Sequence, residues 1–278
     1  MRDVVPNGTA AFRRDGSELR AECTSFIKTT VEDAGAEGVV VRLDGGLESS
    51  AIATMAVDAL GSERVYGIVL PSSKLGSRSA QDAEAIATAL DIEADTIHLQ
   101  PLLMCVSDIV PAHTDLHGDP IVRADLVARL RMAMTYLAAN ATDRLVVGSA
   151  TRTAFLLGSV TKHGDGAADL FPLGGLYGSE AEALGDDLDL PSFVTEAQPM
   201  VGQFPGQSGN YGIDAPLETI DAVLYGFVDA GWTRDRIREE FGVDAELVDR
   251  IVRHYRAMTR DQREPPIGPT GSSVGDQN

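Results

Sequence analysis

Val39-Val-Val-Arg-Leu-Asp-Gly-Gly-Leu-Glu-Ser-Ser50 decides the fold. A β-branched strand over 38–43 runs into two adjacent glycines, Gly45 and Gly46, and then directly into a helical pattern over 48–60. That pattern sets Ile52, Met55, Ala56, Ala59 and Leu60 on one helical face. Adjacent glycines let backbone N–H groups turn toward one point, and the following helix N-terminus adds the positive end of its dipole. At the carboxyl end of a strand, where open parallel sheets bind ligands, this suits a pyrophosphate. Taken alone, the glycine pair is equally compatible with a simple tight turn.

The flanking chain repeats the alternation. Helical periodicity covers 18–35, and a second strand covers 65–70, stopped by Pro71. A helix over 79–90, a strand over 95–99, a long helix over 121–140 and a strand over 144–148 follow. Strands alternating with helices predict an α/β fold, a doubly wound and mostly parallel sheet with helices on both faces. Residues 159–176 and 191–215 are rich in Gly, Pro, Ser and Gln and read as long loops, which in compact domains tend to carry function. Helices are expected over 216–230, 233–241 and 244–260. We expect one domain over 1–260 and a mobile polar tail over 261–278.

Composition excludes several classes. The chain has 278 residues, 44% of them hydrophobic, and no apolar run long enough to cross a membrane. Its first residues lack the layout of a signal peptide, so a cytoplasmic location is expected. Forty-two acidic residues face 23 basic ones, a formal charge of −19, which speaks against nucleic acid as a partner. The lysines are Lys28, Lys74 and Lys162; the other basic residues are arginines. Such a charge repels itself within the fold, and concentrated salt screens it, with a Debye length of about 3 Å at 1 M. A salt-rich host cytoplasm is the expectation. Cys23 and Cys105 have no motif spacing and read as buried thiols rather than a disulfide. His113, His117, Asp115 and Asp119 lie close in sequence, but two histidines in a loop are too few for a closed metal site. Arg129 and Arg131 read by themselves as exposed cations on the long helix, and Asp165 and Asp169 as turn residues beside glycine.

The glycine loop resembles the Ser-Gly-Gly-x-Asp-Ser pyrophosphate loop of the ATP pyrophosphatases. Thr161-Lys-His-Gly-Asp-Gly-Ala-Ala-Asp169, Ala128-Arg-Leu-Arg-Met132 with Tyr136 and Asn140, Leu145-Val-Val-Gly148 and Pro205-Gly-Gln207 are similar, in the same order, to motifs of the ammonia-dependent NAD synthetases. The chain is identified as a divergent, haloarchaeal-type member of that family. The resemblance implies ATP as substrate, Mg²⁺ as cofactor and a homodimer. It implies attack of the nicotinate carboxylate of deamido-NAD on the α-phosphate of ATP, then displacement of AMP by ammonia, with no protein nucleophile. It assigns Asp44, Gly45, Gly46, Leu47, Glu48, Ser49 and Ser149 to the ATP side, and Arg129, Lys162, Asp165 and Asp169 to deamido-NAD.

Several of these positions depart from the family pattern. Asp44 stands where the family has a phosphate-binding serine. Two unit charges about 4 Å apart repel by about 1 kcal/mol in water and about 4 kcal/mol at an effective dielectric of 20, unless a cation intervenes. Glu48 replaces an aspartate that binds magnesium, and Ala154 falls where the family has its second magnesium ligand. Family lysines fall at Gly178 and near Ala197, an Asp-Glu pair reads Gly209-Asn210, and a His-Lys near the end is missing over 261–266. These departures predict reduced or lost ligase activity, or a nucleotide-binding paralogue that partners an active synthetase.

Overall fold

A computed structural model describes residues 14–72, 78–114, 116, 118–195 and 210–258. Four strands, β1 (Gly38–Leu43), β2 (Val65–Val69), β3 (Glu93–Thr96) and β4 (Arg144–Val147), form one sheet in the order β3-β2-β1-β4. Every pairing is parallel, with Val40 opposite Tyr66 on one side and Val146 on the other. The expected α/β fold is therefore present. Central β1 is buried on both faces, which is why it reads as an apolar run interrupted only at Arg42.

Alternation along β1 divides the core. Val39, Val41 and Leu43 pack with α1 (Gly16–Ala34), α2 (Leu47–Leu60) and α3 (Arg78–Ala89). Val40 points the other way and packs with α4 (Gln100–Ile109) and α5 (Pro120–Thr142) through Leu103, Val127 and Met132. Parity places Arg42 on the α5 side, at the carboxyl end of the strand. A third cluster joins α9 (Leu217–Leu224), α10 (Arg234–Phe241) and α11 (Ala245–Met258), with Trp232 packed against it. Caps fix the helices that bear on the site. Asp119 accepts from the N–H groups of Ile121 and Val122 at the start of α5, and Asp15 does the same for Ser17 and Glu18 in α1.

Several expectations need correction. β3 spans Glu93–Thr96, not 95–99: at a sheet edge its side chains are largely exposed, and the more apolar Ile97–Leu99 follows it, with the Ile97 N–H still donating to Val69 O at 2.8 Å. Helix α4, and α7 (Gly178–Asp186), arise where none was read. Two glycines conceal α7, yet packing makes use of one: a Cβ at Gly185 would fall 2.6 Å from Leu47 Cδ1. The loop over 159–176 also follows a short helix, α6 (Arg152–Leu156), and the loop over 191–215 opens with α8 (Ser192–Thr195). The helix expected over 216–230 ends as α-helix at Leu224 and continues as a π-turn over Tyr225–Asp229. Cys23 is buried and free, as expected, but Cys105 is exposed on α4, a helix that buries only Leu103. The expected tail over 261–278 lies outside the described residues, as do Asp115 and His117.

Candidate active site

The glycine loop follows β1 directly. Gly45 has φ +79, and a Cβ there would lie 2.6 Å from the carbonyl oxygen of Ser79, so both conformation and space demand glycine. Gly46 caps α2. The loop's donors are already engaged by an anion of the chain itself. Asp44 Oδ1 accepts from the Gly46 N–H at 2.9 Å and from Ser49 Oγ at 2.6 Å. Its Oδ2 lies 3.7 Å from Arg42 Nη1. Burial works against the Asp44 charge, but the Arg42 guanidinium, the Ser49 hydroxyl and the Gly46 N–H together hold its carboxyl below the usual carboxylate range. Glu48 is shifted the opposite way: burial pushes its carboxyl up, and the nearby Asp44 charge adds to the shift. Leu47 turns its side chain into the core.

Asp165, from the second predicted loop, meets this cluster. Its Oδ1 accepts from Arg42 Nη2 at 3.1 Å. A small cavity at the carboxyl ends of β1 and β4 is lined by Arg42, Thr135, Gly148, Ser149 and Asp165. Arg131 is a correction: it is not an exposed helical cation. It is half-buried and donates from Nε to Leu70 O at 3.2 Å and toward Ser72 Oγ at 3.4 Å. Burial and the like charge of Arg42 lower its pKa, and Asp165 and Asp44 oppose this. Arg42, Arg131, Asp44 and Asp165 thus form a neutral quartet.

The remaining predicted residues separate. Arg129 is exposed, paired with Asp125 at 3.2 Å, and its Nε donates to the Lys162 carbonyl at 3.3 Å. Asp169 is engaged by the fold: it accepts from Tyr136 Oη and from the Val146 N–H of β4, both at 2.8 Å. Two residues escaped the sequence reading. Arg42 was signalled only by its charge within an apolar strand. Tyr211 has φ +56, unusual for an aromatic residue, and its hydroxyl reaches Thr151; burial pushes its phenol well up, and the charge of Glu48 adds. Only the Asn-Tyr-Gly turn composition hinted at it.

The departures are built into the packing. Ala154 is buried within α6. A Cβ at Gly178 would sit 3.1 Å from Leu217 Cδ2, a tight contact that Leu217 would have to relieve by shifting. The Asn210 amide donates to Ala215 O at 2.9 Å. Ala197, Gly209, Pro205–Gln207 and 261–266 fall outside the described residues. No three metal-binding side chains cluster among the described residues. Magnesium is commonly held by one or two carboxylates together with substrate phosphates. Asp44 is committed to its own loop, so the described residues of this loop fit an ion carried in with a nucleotide, with Glu48 as the carboxylate they offer it.

A parallel sheet with a glycine turn and helix N-terminus after its central strand, beside arginines at the same sheet edge, defines a nucleotide-binding α/β protein. The sequence profile of the NAD synthase family matches residues 19–266, and the chain belongs to that family. It is 32% identical over 254 residues to the NH(3)-dependent NAD(+) synthetase of Methanosarcina acetivorans, covering 91% of this chain and 98% of that one. It is 33% identical over 252 residues to the same enzyme of Halobacterium salinarum, covering 90% and 92%. Among solved structures, an NMN synthetase from Francisella tularensis matches with a TM-score of 0.76 and 28% identity, over 92% of this chain and 99% of that one. The fold is shared equally, at TM-score 0.76 and 23% identity, with an NH3-dependent NAD synthetase from Campylobacter jejuni, over 92% and 100%.

Proposed function

We propose that this chain amidates deamido-NAD with ammonia and ATP, at a rate below that usual for its family. The nicotinate carboxylate attacks the α-phosphorus and pyrophosphate leaves. Ammonia then attacks the acyl carbon, loses a proton, and AMP departs. The chain's part is to position substrates and neutralise charge. The Gly46 N–H, the Ser49 hydroxyl and the N-terminus of α2 are the groups that would meet the pyrophosphate. A magnesium ion bound with the nucleotide and held by Glu48 would neutralise phosphate charge. One observation carries the reduced rate: the Asp44 carboxylate sits on the same donors a phosphate needs.

Family membership supports the reaction, and the similarity to relatives named as NH(3)-dependent NAD(+) synthetases supports its acceptor. The similarity to an NMN synthetase makes nicotinate mononucleotide the second acid to try. Alanine at the buried position 154, which offers a metal no carboxylate, favours a second reading: nucleotide binding without turnover, as a partner of an active synthetase.

A homodimer in the cytoplasm completes the proposal. Of the eight large hydrophobic residues exposed among those described, six lie on α4 and α5: Leu102, Met104, Ile109, Ile121, Val122 and Leu137. Helix α5 has apolar residues both on the face it buries, Val127 and Met132, and on its exposed side, Ile121, Val122 and Leu137, so a second face is available for a partner. No helix among the described residues is long and apolar enough to cross a membrane.

The test is amide formation from each acid with ATP, Mg²⁺ and ammonia in molar KCl, beside a working family member. The expected rate is lower by about tenfold or more. Equal rates refute the reduction, and nucleotide binding without any amide establishes the second reading.

A further inference from the structure

Arg42 stands where the two loops meet. It projects from the carboxyl end of β1, and its side chain is only 18% exposed. One side of its guanidinium faces Asp44 on the glycine loop, and the other faces Asp165 on the 161–169 loop. A polyphosphate entering between these loops meets a quartet with no net charge, so the quartet becomes net positive toward it only when a carboxylate is displaced. The two carboxylates are not equally held. Asp44 also accepts from Gly46 and Ser49, and it belongs to a turn fixed by its own glycine. Asp165 is paired with Arg42 and sits between Gly164 and Gly166, two residues after His163 at φ +61. The weaker hold is on Asp165. A guanidinium released from it would present two parallel N–H donors, the fork that suits a phosphate.

We propose that Arg42 is a phosphate-binding residue of this site, kept closed by Asp165, and that a nucleoside triphosphate binds by taking the place of the Asp165 carboxylate. The inference rests on the reading of the glycine loop as a nucleotide site. It adds a residue that the family resemblance does not assign, and it gives Asp165 a role as a clasp between the loops. Arg131 stays behind, tied to Leu70 and Ser72, and supplies a second positive charge that does not have to move.

The experiment is calorimetric titration of ATP, and separately of inorganic pyrophosphate, into the wild-type chain, Arg42→Met and Asp165→Asn in molar KCl. Thermal melts verify that each variant is folded. Arg42→Met is expected to bind both probes about tenfold or more weakly, the loss of a charge-assisted contact, and Asp165→Asn several-fold more tightly. Tight binding by Asp165→Asn beside a silent wild type also supports the clasp. Binding by Arg42→Met equal to or tighter than wild type overturns the proposal while leaving the nucleotide site intact. Silence from all three folded chains overturns the nucleotide site and the proposal with it. If Arg42→Met does not fold, Arg42→Lys decides: it keeps the charge but lacks the fork, and unchanged pyrophosphate affinity refutes the assignment.

Discussion

Replacing Asp44 by serine should convert the glycine turn into a better phosphate site. A carboxylate about 4 Å from a phosphate oxygen costs about 4 kcal/mol at an effective dielectric of 20. Asp44 is 31% exposed and lies 3.7 Å from Arg42, so most of that repulsion is already cancelled, and about 1 kcal/mol remains. The substitution also frees the Gly46 N–H and the Ser49 hydroxyl, each worth about 0.5–1.5 kcal/mol to a phosphate. The total, about 2–4 kcal/mol, corresponds to roughly 30- to 800-fold tighter binding. Asp44→Asn separates the two causes: it removes the charge but can still accept from Gly46, so its gain should be smaller. Calorimetry with ATP and with pyrophosphate, in KCl where all three chains are folded, gives the dissociation constants. Affinities for Asp44→Ser within about twofold of wild type would mean that the turn does not face phosphate, since the electrostatic and donor contributions share a sign.

The formal charge of −19 should make folding salt-dependent: the urea midpoint should climb steeply from dilute buffer to molar KCl, and a flat profile refutes salt adaptation. Leu137→Glu on the exposed side of α5 should turn a dimer into monomers in analytical ultracentrifugation with little change in the monomer's helix content; an unchanged sedimentation coefficient refutes this face as the contact. Asp221 is fully buried and bonded to Thr153 and to the Ser179 N–H, and burial raises its pKa to about 6. Because the folded value lies above the unfolded one, its stabilising contribution is complete below about pH 4 and is lost as pH rises through about 6. Asp221→Asn lacks that loss, so its stability deficit in urea unfolding should shrink by about 3 kcal/mol from pH 4 to pH 7; a widening deficit refutes the sign.

Much of the sheet was legible because burial writes itself into sequence. β1 and β2 are covered on both faces and read as apolar runs; α2 is enclosed around most of its circumference over 49–56, and its large apolar residues still recur at helical spacing. β3 was misplaced because an edge strand need not be apolar: Glu93, Ala94 and Asp95 are exposed. Helix α7 was unreadable because glycine lowers local propensity, and its stability comes from Leu47 and from the Thr153–Asp221 bonds that cap its first N–H groups. At the site, the turn and its glycines were legible, but the partners of Asp44 and Asp165 were not. Arg42 lies two residues from the one and 123 from the other, and only the strand's alternation toward α5 brings all three together.

That convergence changes what the departures at the site mean. Asp44 alone would place an unopposed negative charge in a phosphate turn. With Arg42 beside it, the same carboxylate becomes an internal ligand of the turn, bonded to the N–H and hydroxyl that a phosphate would use, and held ionised against its own burial. Positions 42 and 44 therefore act as a pair: Arg42→Met would leave Asp44 a buried charge without its cation, and Asp44→Ser would leave Arg42 held by Asp165 alone. Ala154 and Gly178 fit the same picture through packing, since one is enclosed in α6 and the other lies under Leu217. A polyphosphate reaching this edge of the sheet meets paired charges at Arg42, Asp44 and Asp165, with most of the repulsion already cancelled. Its affinity is then set by the free energy of exchanging one carboxylate for another anion on Arg42, a quantity that salt and single substitutions can move in either direction.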